Sequence, residues 1–248
     1  MRWCVAEKLG DLGDPKAIKP LLLALGDKDF HVVKNAYKAL VKFNVEIIPS
    51  AVQLLGHKHV YIRNQAEQIL LEIGEVGLPI LHKEVDKHNW AVSNRIVHLI
   101  WQIAKQNAQN MLISVLGNPN VQKNTIILLG ILKSEAALPH FIQYYSKPSL
   151  RRVILQGIKL IGKDVSFPVI IESLHNSALK EQAKLMCLKI GPAILPAVVE
   201  AIQNGSKNKV VLIKLIKKLG PQKVIEQLKD LAKTDKEILK EFKAEISS

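Results

Sequence analysis

Apolar residues recur along the chain at spacings of three and four, and the whole pattern repeats about every 30 residues. "CVAEKLGDLG" ends at Gly13, "AYKALVKFN" at Asn44, "AEQILLEIG" at Gly74 and "VHLIWQIA" at Ala104. "IILLGILK" ends at Lys133, "LQGIKLIG" at Gly162, "KLMCLKIG" at Gly191 and "LIKLIKKLG" at Gly220. Four residues before these anchors stand Leu9, Leu40, Leu70, Ile100, Leu129, Ile158, Cys187 and Ile216. Eight before stand Val5, Ala36, Ala66, Ile96, Thr125, Ile154, Ala183 and Leu212. Positions so spaced share one helix face, so each stretch is predicted to be a helix with a buried stripe. Cys187 falls in that stripe and is expected to be a small buried hydrophobe.

Between these helices lies a second set, each with an early proline: Pro20, Pro49, Pro79, Pro139, Pro168 and Pro196, with Asn110 in that place in the fourth unit. Proline bends a helix or marks its first turn, and the shared register predicts a common kink. Gly13 suits a helix C-terminus, Asp14 an N-cap and Pro15 a first helical position, and Gly191-Pro192 and Gly220-Pro221 repeat the device. Each unit is thus predicted to be a helical hairpin that buries its stripe only by stacking on its neighbours. The fold expected is an all-α, right-handed α-α superhelix of about seven to eight hairpins in one continuous domain over 1–248. Residues 221–248 are polar enough to form a degenerate C-terminal cap.

Composition narrows the function. The 248 residues are 48% hydrophobic but only 5% aromatic, and the net charge is +13. No stretch of 18 uncharged apolar residues and no apolar leader stands out, so no membrane partner and a cytoplasmic location are expected. The two cysteines make neither a disulfide framework nor a metal spacing.

"RWCVAEKLGDLGDPKAIKPLLLALGDKD" resembles the HEAT repeat family, in particular the short-repeat branch seen in phycobilisome lyases (PBS lyase HEAT-like repeats). The resemblance implies the solenoid fold and, most often, a scaffold role. Met1 falls where the motif has the Val that opens a second helix, so the chain opens mid-repeat, either as a natural half-repeat cap or as a fragment of something longer.

In such repeats a turn Asp pairs with a basic residue early in the second helix. The basic members are taken as Arg2, Lys34, Arg63, Lys123, Arg151, Arg152, Lys180 and Lys209, whereas later turns offer His57, His59, Asn118 and Asn176 rather than acids. An under-compensated row attracts anions, which makes Lys34, Arg63, Lys123, Arg151, Arg152, Lys180 and Lys209 candidate anion-binding residues. The competing reading is a solvated face whose carbonyls accept the ladder bonds.

The second helices are expected to line the concave side. Their groove registers hold an amide row, Asn35, Asn64, Asn94 and Asn124, able to bond an extended main chain as armadillo repeats do. Arg95 joins it, and further on stand Ile127, Ile131, Val153, Leu160, Leu185 and Val211, with Val210 beside them, an apolar series expected to be exposed. These are the candidate partner-binding residues.

Enzymatic readings find little support. None of the eight histidines precedes a Glu, against the ligand pairs of HEAT-type iron hydroxylases. Trp3, Trp90 and Trp101 could stack on a bilin, but no residue identifies a tetrapyrrole contact. A base glycosylase needs aromatics beside a carboxylate in a basic groove, and Glu72 has none in its set. No cofactor, metal site or catalytic set is expected. The leading expectation is a non-catalytic scaffold for a protein or peptide. The alternatives are a basic nucleic-acid- or polyanion-binding solenoid and a phycobilin lyase-like protein.

Overall fold

Amphipathic stripes of this period have one stable outcome, helix packed on helix. The computed structural model describes residues 2–206 and 209–219, and these hold fifteen α-helices and no strand. In chain order they are α1 (Arg2–Leu12), α2 (Ile18–Ala24), α3 (Phe30–Lys42), α4 (Ile48–Leu54), α5 (Val60–Ile73), α6 (Leu78–Glu84), α7 (Trp90–Ala104) and α8 (Gln109–Ser114). Then come α9 (Gln122–Ile131), α10 (Leu138–Tyr144), α11 (Arg151–Ile161), α12 (Lys163–Glu172), α13 (Lys180–Ile190), α14 (Leu195–Gln203) and α15 (Lys209–Leu219). Odd-numbered helices are the second helices of the hairpins and even-numbered ones the first. The arrangement is the all-α, HEAT-like stack of hairpins that the periodicity predicts. The expected cap at 221–248 and the Gly220-Pro221 elbow lie outside the described residues.

The chain divides inside α9 into two compact units, Met1–Leu128 and Leu129–Ser248. In the first, α1 packs on α3, α3 on α5 and α5 on α7, with α4 and α6 alongside. Ala36, Leu40, Ala66, Leu70, Ile96 and Ile100 are buried in its core. In the second, α10, α12 and α14 form one row, and α13 packs on α10, α12 and α15. Leu129, Ile154, Ile158, Ala183, Cys187, Leu212 and Ile216 are buried there. The stripe fails only in α1, where Leu9 is half-buried and Val5 and Leu12 are exposed. Among the described residues, that helix packs chiefly on α3 and to a lesser extent on α2.

Each elbow between a second helix and the next first helix turns on one residue with left-handed backbone. These are Gly13, Asn44, Gly74, Lys105, Lys133, Gly162 and Gly191, with φ between 48° and 109°. They match the sequence anchors except in the fourth repeat, where the turning residue is Lys105 rather than Ala104. Glycine suits this position because it has no Cβ to clash. At Asn44, Lys105 and Lys133 a side-chain-bearing residue takes it, with φ of 53°, 48° and 52°.

The prolines do not kink a common helix. At most elbows a short 3-10 turn precedes the first helix, and Pro49, Pro79, Pro139 and Pro196 stand at the second position of the α-helix that follows. Asn110 holds the same position in α8, and Pro20 comes one residue later in α2. In the first turn a helix residue has no intrahelical acceptor for its N–H, so proline costs nothing there. Only Pro168, in α12, is interior to its helix.

The stretch Lys180–Gln203 is long and apolar enough by composition to cross a bilayer. It is instead two helices, α13 and α14, parted at Gly191, whose φ of 76° breaks the α-helical path.

Candidate interaction surfaces

In four repeats the residue eleven before the anchor, Arg63, Ser93, Gln122 or Arg151, ties the second helix to the turn that precedes it. Arg63 donates from Nη1 to the carbonyls of His57 (2.8 Å) and Lys58 (3.1 Å). Gln122 Nε2 donates to the Leu116 carbonyl at 2.7 Å, and Arg151 Nε to the Tyr145 carbonyl at 3.1 Å. Ser93 does the same over a shorter reach, to Val85 (2.7 Å) and His88 (3.1 Å). Among the described residues of this register, only Arg2 pairs with a turn acid, meeting Asp27 at 3.2 Å. The Asp27 carboxyl lies below its usual range, first because it accepts the Asp29 backbone N–H and then because of Arg2.

Lys34 and Lys123 stand one residue late, and Val33 and Gln122 hold their places in the register. Arg63 and Arg151 direct donors inward to their own turns, and Arg151 also lies over the Tyr145 ring. Lys34, Lys123 and Arg152 are exposed and Lys180 half-buried, and none of the four has an ion-pair partner among the described residues. Lys209, half-buried, does interact with its surroundings.

The turn residues that replace the acids are structural. Asn118 Oδ1 accepts from the Asn120 N–H, Asn176 Oδ1 from Ala178, and His57 Nδ1 from His59, as Asp27 does from Asp29. An acceptor two residues back satisfies the turn whatever its charge. The His57 and His59 rings lie 5.4 Å apart, and no cluster of three metal-ligating side chains exists among the described residues.

In the first unit, the outward faces of α5, α7 and α9 enclose an open cleft of about 460 Å³. Three predicted partner residues meet there, Asn94, Arg95 and Asn124, beside Glu67, Trp90, His98 and Gln102. Arg95 is paired with Glu67, which cancels the charge of the wall. Asn94 directs both amide hydrogens inward, to the Trp90 carbonyl at 2.7 Å and the Asn120 carbonyl at 2.8 Å. Only its Oδ1 is left to face a ligand. Trp90 is 68% exposed and stands over the cleft as an apolar shelf. The sequence alone offers Trp90 as a residue for pigment stacking or for packing, not as part of a partner site. Its signal was position: a large aromatic at the start of a second helix, one turn before a groove asparagine.

The rest of the amide row is not gathered with it. Asn35 donates to the Trp3 carbonyl at 3.1 Å and so staples α3 to α1, while Asn64 is exposed on α5. Ile127 is half-buried on α9.

In the second unit, Ile131, Leu160, Leu185 and Val210 are exposed and Val153 and Val211 half-buried, all on second helices. Gly130 and Gly157 bring α9 and α11 close, for a Cβ on Gly130 would lie 3.0 Å from the Gly157 backbone and 3.1 Å from Leu160 Cβ. Leu160 therefore sits directly beside the Gly130–Ile131 turn of α9. Cys187 is fully buried, and burial pushes its thiol up to about 12. It stays protonated and inert.

No curated protein matches the chain. A family model of HEAT repeats matches residues 1–72, the segment that carries α1 to α4 and nearly all of α5.

Proposed function

We propose that this chain is a non-catalytic repeat scaffold that holds a protein or peptide partner on the outward faces of its second helices. The observation that carries the reading is the series Ile131, Leu160 and Leu185, aliphatic side chains 39–47% exposed on successive second helices. Exposed apolar area of this kind gains free energy when a partner covers it. In the first unit the corresponding face is polar, and its Trp90 cleft offers an apolar shelf with amide acceptors. The short hairpins support the PBS lyase-like branch of HEAT repeats.

The test is capture from native lysate in steps of rising salt, with and without nuclease. A protein retained by the wild type at high salt should be lost from the Ile131→Asp, Leu185→Asp double variant while helicity by circular dichroism is unchanged. Capture that survives the double variant excludes the aliphatic face as the site.

The alternative, a polyanion-binding scaffold, is favoured by one observation: among the described residues, Lys34, Lys123, Arg152 and Lys180 form no ion pair. It predicts recovery of nucleic acid alone, lost as salt rises.

A further inference from the structure

The elbow between α11 and α12 departs from its relatives. Among the described residues it is the one elbow at which the first helix starts without a preceding 3-10 turn, with Lys163 following Gly162 directly into α12. Three residues before the anchor stands Lys159, where three other repeats place Val41, Leu71 and Trp101 and the last repeat places Lys217. A cavity of about 450 Å³ lies at this elbow, between α11, α12 and the end of α13.

Its wall is apolar and aromatic, made by Leu155, Ile158, Phe167 and Ile190, and its charged members are Lys159 and Lys163. No acid lines it. Both lysines are exposed, and neither has an ion-pair partner among the described residues. Ile158 belongs to the buried stripe, so the cavity reaches down to the core, while Leu155, Phe167 and Ile190 are half-buried. The volume is at the small end for a ligand pocket and suits one or two bulky side chains.

We propose that this elbow pocket docks an acidic peptide through a bulky apolar side chain. The anchor side chain enters against Phe167, Leu155 and Ile190. Carboxylates on either side of it meet the Lys159 and Lys163 ammonium groups. Charge complementarity selects the partner: two unopposed cations at an apolar mouth disfavour a basic or neutral segment and favour an acidic one. The surface is separate from the aliphatic face of Ile131, Leu160 and Leu185, and the inference stands without that reading.

The probe is a fluorescein-labelled peptide, Glu-Glu-Asp-Leu-Phe-Asp-Glu-Glu, titrated with the full chain and followed by anisotropy at physiological salt. Saturable binding is expected. Lys159→Glu with Lys163→Glu should weaken it by about tenfold or more, and Ala193→Trp, which fills the pocket from its exposed rim, should abolish it. Lys34→Glu with Lys123→Glu removes the same charge from the first unit and should leave the affinity within about twofold. A peptide with Ser for Leu and Phe should not bind. Equal binding of that Ser peptide, equal loss in the two charge variants, or no loss in the elbow variants would each overturn the proposal. Binding of dodecanoate without binding of the peptide would overturn it in favour of a small amphiphile.

Discussion

Gln122 donates to the Leu116 carbonyl at 2.7 Å across the turn between α8 and α9, as Arg151 does to Tyr145 between α10 and α11. Gln122 is only 4% exposed, so no water replaces the bond if it is lost. Gln122→Ala is expected to cost about 1–3 kcal/mol, because a buried carbonyl is left unpaired. Gln122→Arg copies its neighbours in the register and should retain most of that stability. Urea unfolding of the three proteins checks both expectations.

Gly10 on α1 faces Ala39 on α3 so closely that a Cβ at Gly10 would lie 2.5 Å from Ala39 Cβ and 2.8 Å from its Cα. Backbone cannot yield as a side-chain tip does. Gly10→Leu is therefore expected to prise α1 from α3 at a cost of about 1–3 kcal/mol. Hydrogen exchange should show protection lost in α1 and kept in α5 and α7.

Glu84, at the end of α6, accepts from Lys87 Nζ at 2.7 Å and meets His88 Nε2 at 3.0 Å. The Lys87 hydrogen bond is the main cause that holds its carboxyl below the ordinary value of 4.5. A carboxyl lowered by folding contributes stability that is present above its unfolded value and lost as pH falls through the folded one. Glu84→Gln should lower stability by about 1 kcal/mol at neutral pH and should narrow its gap to the wild type below about pH 4. Melting curves at a series of pH values read both effects.

The repeat, the hairpins and the buried columns were legible in the sequence because stacking imposes one requirement on every unit. The burial of Leu40, Leu70 and Cys187 follows from a spacing of four before an elbow. The exposure of Ile131, Leu160 and Leu185 was legible for the same reason. The turn lock is less so, because Arg63, Ser93, Gln122 and Arg151 share a geometric task rather than a charge, and a column defined by positive charge contains neither Ser93 nor Gln122. The inward bonds of Asn35 and Asn94 escaped notice because an amide on an exposed register can turn back to a main chain that sequence spacing does not reveal. The elbow pocket lies where a first helix starts without a 3-10 turn, a feature that leaves no mark in the apolar period.

The displaced elbow at Lys105 has a consequence for how such chains change over time. Left-handed residues follow one another at intervals of 31 to Lys105 and 28 to Lys133, against 30 to Gly74 before and 29 to Gly162 after. The residue added at the end of α7 is thus offset before the next elbow, and the two repeats together keep the period of their neighbours. Elbow and turn act as a slip joint. A paired insertion and deletion at these two places would leave the repeat period, and with it the buried stripe, in phase.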